Sequence, residues 1–297
     1  MWDSQRRFFR TLGDSPILRI GLVAVALVVG TGCNKLGLGE TSPTAPTGPP
    51  AAGSTIFYTA IGASDANGVG SSNECVFLTD CPNGMGYVPV TVRTLKAQGF
   101  TVTNRNLGIP TTVIGRDFAS LGAQYGRTIV GNMIENEMPF VLPSSTVVTI
   151  FAGVNEINVI TAALGGGAGG SDPNGYIDNQ VKAFGTDYAT LIAGIRVIAP
   201  TTRFVILNVP NAAGLPFLAG ASLAQRQAAQ RAAVGMTKTV VDPLASSSVA
   251  VVDLMCDARS YVASNYAADG LHPNDAGYAV LGRGFYGAIA ALLPAGP

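Results

Sequence analysis

Histidine is almost missing from this chain: His272 is the single imidazole in 297 residues. A metal centre built on two or more histidines is thereby excluded. The four cysteines, Cys33, Cys75, Cys81 and Cys256, are too scattered to replace one. No metal and no cofactor are expected. Charge is scarce as well, with 12% charged residues and 18 basic groups balancing 18 acidic ones, so no electrostatic footprint for nucleic acid is present. The Gly-rich stretch "GGGAGGSDPNG" at 165–175 lacks the Gly-Lys-Ser/Thr ending of a phosphate-binding loop and reads as a mobile loop. Gly-x-Ser-x-Gly is absent too, which argues against the nucleophile elbow of the α/β-hydrolases.

What is present is apolar material and glycine: 47% hydrophobic residues and 37 Gly, enough for one sizeable core. The first 33 residues read as a separate segment. Arg6, Arg7, Arg10 and Arg19 precede "IGLVAVALVVG", a run well short of the ~20 residues that span a bilayer, which is the pattern of an export signal. "VGTGC" resembles a bacterial lipobox, with Cys33 as the residue that would carry lipid and tether the protein to a membrane. The expected location is the cell envelope, as a lipoprotein, or a secreted or periplasmic state. Residues 34–53, rich in Pro, Gly, Ser and Thr, read as a flexible tether, so the folded domain is expected over 54–297. Cys75 and Cys81, six apart in a loop-like segment, are expected to pair in an oxidising compartment. Cys256 is then left over, and it is expected to be buried at the end of "VVDLMC".

From Ser54 the chain alternates. Strand-like runs occupy 55–61, 100–106, 146–152, 203–209 and 249–254. Helical patterns fill 88–98, a region around 115–137, 176–199, 222–245 and 274–293. Strands separated by helices make βαβ units, so the expected fold class is α/β: one parallel sheet covered on both faces. Ligands of such sheets bind beyond the carboxyl ends of the strands. The first strand runs into "IGASDANGVG", the second into "NLGIP", the third into "FAGVNEIN", and the fifth leads on to "DGLHP". Ser64, Gly108, Asn155, Asp269 and His272 therefore converge on one sheet edge.

These residue types fit acyl transfer. Ser64 needs a base to become a nucleophile, and His272 is the one imidazole. Asp269, three residues earlier, can fix the tautomer of that ring and stabilise its charged form, with Pro273 in the first turn of the last helix. The N–H groups of Ser64 and Gly108 and the Asn155 amide can serve an oxyanion. Each residue also has a plainer role open to it. Ser64 could cap a helix, Asn155 could close a turn, and Gly108 could supply a positive φ.

"IGASD", "NLGIP", "GVNE" and "DGLHP" resemble, in order, the four sequence blocks of the SGNH (GDSL-type) hydrolase superfamily. The resemblance covers residues 55–293. It implies a three-layer α/β/α fold, flavodoxin-like, with a five-stranded parallel sheet, and metal-free esterase or lipase activity. Ser64, Asp269 and His272 would be the triad, and Ser64, Gly108 and Asn155 the oxyanion donors. Two positions depart from the family pattern: Ala63 stands where Asp usually precedes the Ser, and Glu156 where Asp often follows the Asn. The literal Gly13-Asp14-Ser15 lies in the leader and is a decoy. Segments 66–86 and 162–178 are expected to wall the pocket. The expected substrate is a small-molecule or lipid ester, the expected state a monomer. A carbohydrate O-acetyl esterase and a non-catalytic surface binding module remain the alternatives.

Overall fold

The computed structural model describes residues 55–293. The leader with Cys33 and the decoy Ser15 lies outside them, as does the tether. Five strands form the sheet: β1 (Thr55–Gly62), β2 (Thr101–Asn106), β3 (Val147–Phe151), β4 (Arg203–Leu207) and β5 (Val249–Val252). All pairings are parallel and the order is β2-β1-β3-β4-β5, the flavodoxin-like order expected. β3 is central and all five of its residues, "VVTIF", are buried, as a strand covered on both faces requires.

The helices are α1 (Ser64–Asn67), α2 (Tyr87–Ala97), α3 (Arg116–Gln124), α4 (Met133–Asn136), α5 (Val154–Gly165), α6 (Pro173–Ile198), α7 (Leu223–Met236) and α8 (Asp275–Leu292). α2 and α8 pack on each other and on one sheet face, where Tyr87 and Phe285 stack with ring centroids 4.4 Å apart. Alternation along β1 sends Ile56, Tyr58 and Ala60 to that core. The remaining long helices, α5, α6 and α7, pack on one another, joined by α3 through the Phe118–Phe184 edge contact.

Helix ends differ from the expected ones for local reasons. α6 starts three residues early because Pro173 suits the first turn and Asp172 accepts from the Gly175 N–H. The pattern at 222–245 is α-helical to Met236, widens into a π-helical turn at Thr237–Val241 and then tightens into a 3-10 turn at Asp242–Leu244, where Pro243 has no N–H to continue the ladder. The region 115–137 is two helices, because Val113 pairs in bridge fashion with Asn132 and draws the intervening chain out of helical register. Cys75 and Cys81 are bonded, Cα to Cα 5.8 Å. Cys256, however, is half-buried, not buried as expected. Among the described residues no helix is long and apolar enough to cross a membrane.

Candidate active site

The order β2-β1-β3 means that the chain leaves β1 toward one side and β3 toward the other, which opens a crevice at their carboxyl ends. Ser64 begins α1 immediately beyond β1, and Asn155 is the second residue of α5 beyond β3. The turn into α5 depends on Gly153, at φ +120°, where a Cβ would meet Val209 Cγ2 at 2.3 Å. Ser64 is not a cap: it is the first helical residue, its helix shows no side-chain capping bond, and its hydroxyl lies 2.8 Å from His272 Nε2. Asn155 sits inside its helix and closes no turn. Gly108 has no positive φ; it is glycine because a Cβ there would stand 2.3 Å from that of Ala66.

His272 reaches Ser64 across 208 residues of sequence. Its Nδ1 is 2.6 Å from Asp269 Oδ2, while Asp269 Oδ1 accepts from the Leu271 and His272 N–H groups at 2.9 and 3.0 Å. Burial by itself would raise the Asp269 carboxyl, but the ring and these N–H donors outweigh it and hold the group below the ordinary carboxylate range. An ionised carboxylate can only accept, so the ring proton sits on Nδ1 and Nε2 is free to accept from the Ser64 hydroxyl. Pro273 does not enter the last helix as expected. Asn274 takes the capping position, accepting from Ala276 and Gly277, and leaves Pro273 one residue outside.

The three expected oxyanion donors are not equally available. Ser64 opens α1, and among the described residues no backbone acceptor is found for its N–H. One Asn155 amide hydrogen goes to the Thr112 carbonyl at 2.8 Å, which orients the amide and leaves the second hydrogen. The Gly108 N–H already donates to Asn106 Oδ1 at 3.1 Å, so any oxyanion would have to share it.

Sequence reasoning missed the pocket walls. The pocket at Ser64 and His272 measures about 50 Å³ and takes its apolar lining from Phe151, Val154, Leu215, Leu254, Leu271 and Leu281. None of residues 66–86 or 162–178 lines it, which corrects the expectation. Segment 66–86 is folded back through the disulfide and bonds such as Ser72 to Asp275, and 162–178 lies at the far end of α5. The expected mobile loop 165–175 is mostly the turn between α5 and α6.

Two glutamates outside the expected set sit beneath the site. Glu156 accepts from Ile114 and Gly153 N–H groups, and Glu137 accepts from the Gly62 N–H at 2.9 Å. Burial raises both: Glu156 to about 7 and Glu137 to about 8. Glu156 thus explains its own departure from the family pattern, since its longer side chain reaches back to accept from the N–H of the N-cap residue Gly153 at 2.7 Å. Among the described residues no group of three or more His, Cys, Asp or Glu could hold a metal ion.

Comparison with known structures finds the same fold elsewhere. A lipase from a goat rumen metagenome superposes with a TM-score of 0.55 at 16% identity, over 80% of this chain and 99% of its own. An extracellular lipase from Streptomyces rimosus gives 0.53 at 16%, over 79% and 98%. A family 2 carbohydrate esterase with a carbohydrate-binding domain from Corynascus thermopiles (Myceliophthora fergusii) gives 0.52 at 20%, over 84% and 68%. No curated protein sequence matches this chain. The sequence model of the GDSL-like Lipase/Acylhydrolase family spans residues 60–280, from the end of β1 into α8, and so takes in every strand end described above. The chain belongs to that family and is a hydrolase of the SGNH type.

Proposed function

We propose that this hydrolase is a serine esterase that cleaves carboxylic acyl esters of short chain. One observation carries the reading: the unbroken relay from Asp269 through His272 to Ser64, at 2.6 and 2.8 Å, opening into a pocket. Ser64 Oγ attacks the ester carbonyl while His272 Nε2 takes its proton. The oxyanion lies against the Ser64 N–H and the free Asn155 amide hydrogen, with Gly108 sharing its donor. His272 then protonates the leaving alcohol, and water admitted to the same position releases the acid.

The pocket argues for chain length. At ~10–15 Å³ per water-sized group, its volume holds roughly three to five such groups, which suits an acetyl to butyryl chain. Its apolar walls favour an acyl group over a sugar. A carbohydrate O-acetyl esterase is the second reading, favoured by the same small volume and by Asp65, Arg259, Ser260 and Asn265 beside it, which could meet a hydroxylated alcohol.

The test is hydrolysis of p-nitrophenyl acetate, butyrate, octanoate and palmitate by the full chain, beside an acetylated xylan. Activity falling steeply beyond butyrate is expected. No hydrolysis of any ester or acetylated glycan would sink the reading and leave the binding module in its place. Asn155→Ala is expected to lower kcat about 10²–10³-fold with KM little changed, the loss typical of one oxyanion donor. An unchanged kcat would remove Asn155 from the oxyanion site.

The export of the protein, lipid on Cys33 and a monomeric state are proposed as well. They are checked by metabolic labelling with a fatty acid, by cell fractionation and by sedimentation.

A further inference from the structure

Glu137 belongs to none of the four sequence blocks, yet every oxyanion element leads to it. Its Oε2 accepts from the N–H of Gly62, two residues before Ser64. Its Oε1 stands 3.0 Å from Thr112 Oγ1. The Thr112 carbonyl receives the Asn155 amide, and the Thr112 hydroxyl reaches the carbonyl of Ile109, next to Gly108, at 2.8 Å. Glu137 is fully buried. We propose that Glu137 is the positioning residue of the oxyanion site, holding the strand end of Ser64 and the loop that orients Asn155 in one fixed relation. This rests on the esterase reading above and extends it to a residue that touches no substrate.

Counting hydrogens gives the form in which it works. Thr112 has one hydroxyl proton, and its nearest acceptor is the Ile109 carbonyl. That hydroxyl also lies within donating reach of Glu137 Oε1 at 3.0 Å, so one proton is shared between two acceptors. A neutral carboxyl resolves this by donating its own O–H to Thr112 Oγ1 while Oε2 accepts from Gly62. Burial, which lifts the group to about 8, keeps it neutral at pH 7. The titratable groups around it are Glu156 from α5, Asp187 of α6 acting on Glu156, and the Tyr87 phenol of α2. A glutamine reproduces the neutral form, with its carbonyl toward Gly62 and its amide donating to Thr112.

The measurement is kcat and KM on p-nitrophenyl acetate for the full chain, Glu137→Ala, Glu137→Gln and Ser64→Ala, from pH 6 to 9.5. Glu137→Ala should lose about tenfold to a hundredfold in kcat, with KM within about threefold, as a small displacement of oxyanion donors would cause. Glu137→Gln should restore most of that loss at pH 7. Above about pH 8 the parent should decline relative to Glu137→Gln as its own carboxyl ionises; the ratio of the two profiles removes whatever the substitution leaves untouched. If Glu137→Ala fails to fold, the Gln ratio alone decides. A flat ratio across the range overturns the proposal, as does an Ala variant with parental kcat or a Gln variant as impaired as Ala. A parent that hydrolyses no ester, or a Ser64→Ala variant that equals it, instead overturns the esterase reading, and the positioning role falls with it.

Discussion

Ser64→Ala should lower kcat on p-nitrophenyl acetate by about 10⁴–10⁶-fold, roughly 5–8 kcal/mol of transition-state stabilisation, and leave KM within a few-fold. The size follows from how the site is wired. Removing the hydroxyl removes the oxygen that His272 Nε2 meets at 2.8 Å, and with it the covalent route. What survives is binding in the pocket and the oxyanion donors, enough for a small residual rate over water. The fold should not suffer, because the Ser64 side chain makes no capping bond. Unchanged circular dichroism with activity at background is the expected pair of results, and parental activity in this variant would remove the nucleophile assignment.

Asp269→Asn comes next, with an expected fall in kcat of about 10²–10⁴-fold. An amide in that position can offer its N–H₂ to the ring, which places the imidazole proton on Nε2 and turns the base into a donor facing Ser64. It also supplies no negative charge for the imidazolium that forms during attack. The range reaches below the loss seen when such an aspartate is fully buried, because the Asp269 side chain is 47% exposed and solvent can take over part of its electrostatic role. The two backbone bonds to Asp269 Oδ1 can be kept by the Asn carbonyl, so the turn at 269–272 should survive. A parental kcat in Asp269→Asn would show that the ring orients itself without the carboxylate.

The fold was legible because its determinants are local and repetitive. Each of the five strands was readable from a β-branched run, four of them ending at Gly, Asn or Pro, and the structure places all five in one parallel sheet. Ser64 and Asn155 were readable because chemistry-bearing residues stood at strand ends, where a packed core would have no use for them, and His272 because it is the one imidazole. The pocket walls were not readable, since Phe151, Val154, Leu254 and Leu281 look in sequence like any other core residues. Their role comes from which strand ends meet, a property of the whole sheet. Glu137 was hidden for the opposite reason, standing among the acidic and polar residues of "IENEMPF" as though on a solvated face. One signal was present: Met133, Glu137 and Val141 recur every four residues, and all three are buried. A carboxylate on an otherwise apolar stripe marks a buried acid.

The last helix carries a second consequence. α8 supplies Tyr278, Leu281, Phe285, Ile289 and Leu292 to the core shared with α2, and the turn leading into it brings His272 to Ser64. Docking of this helix is a contact of long sequence separation, of the kind whose loop-closure entropy slows folding. A nascent chain that stops short of it holds the serine, the oxyanion loop and Asn155 with no imidazole at all. On the esterase reading, competence for catalysis is thus tied to completion of the hydrophobic core, because the imidazole arrives with its last helix.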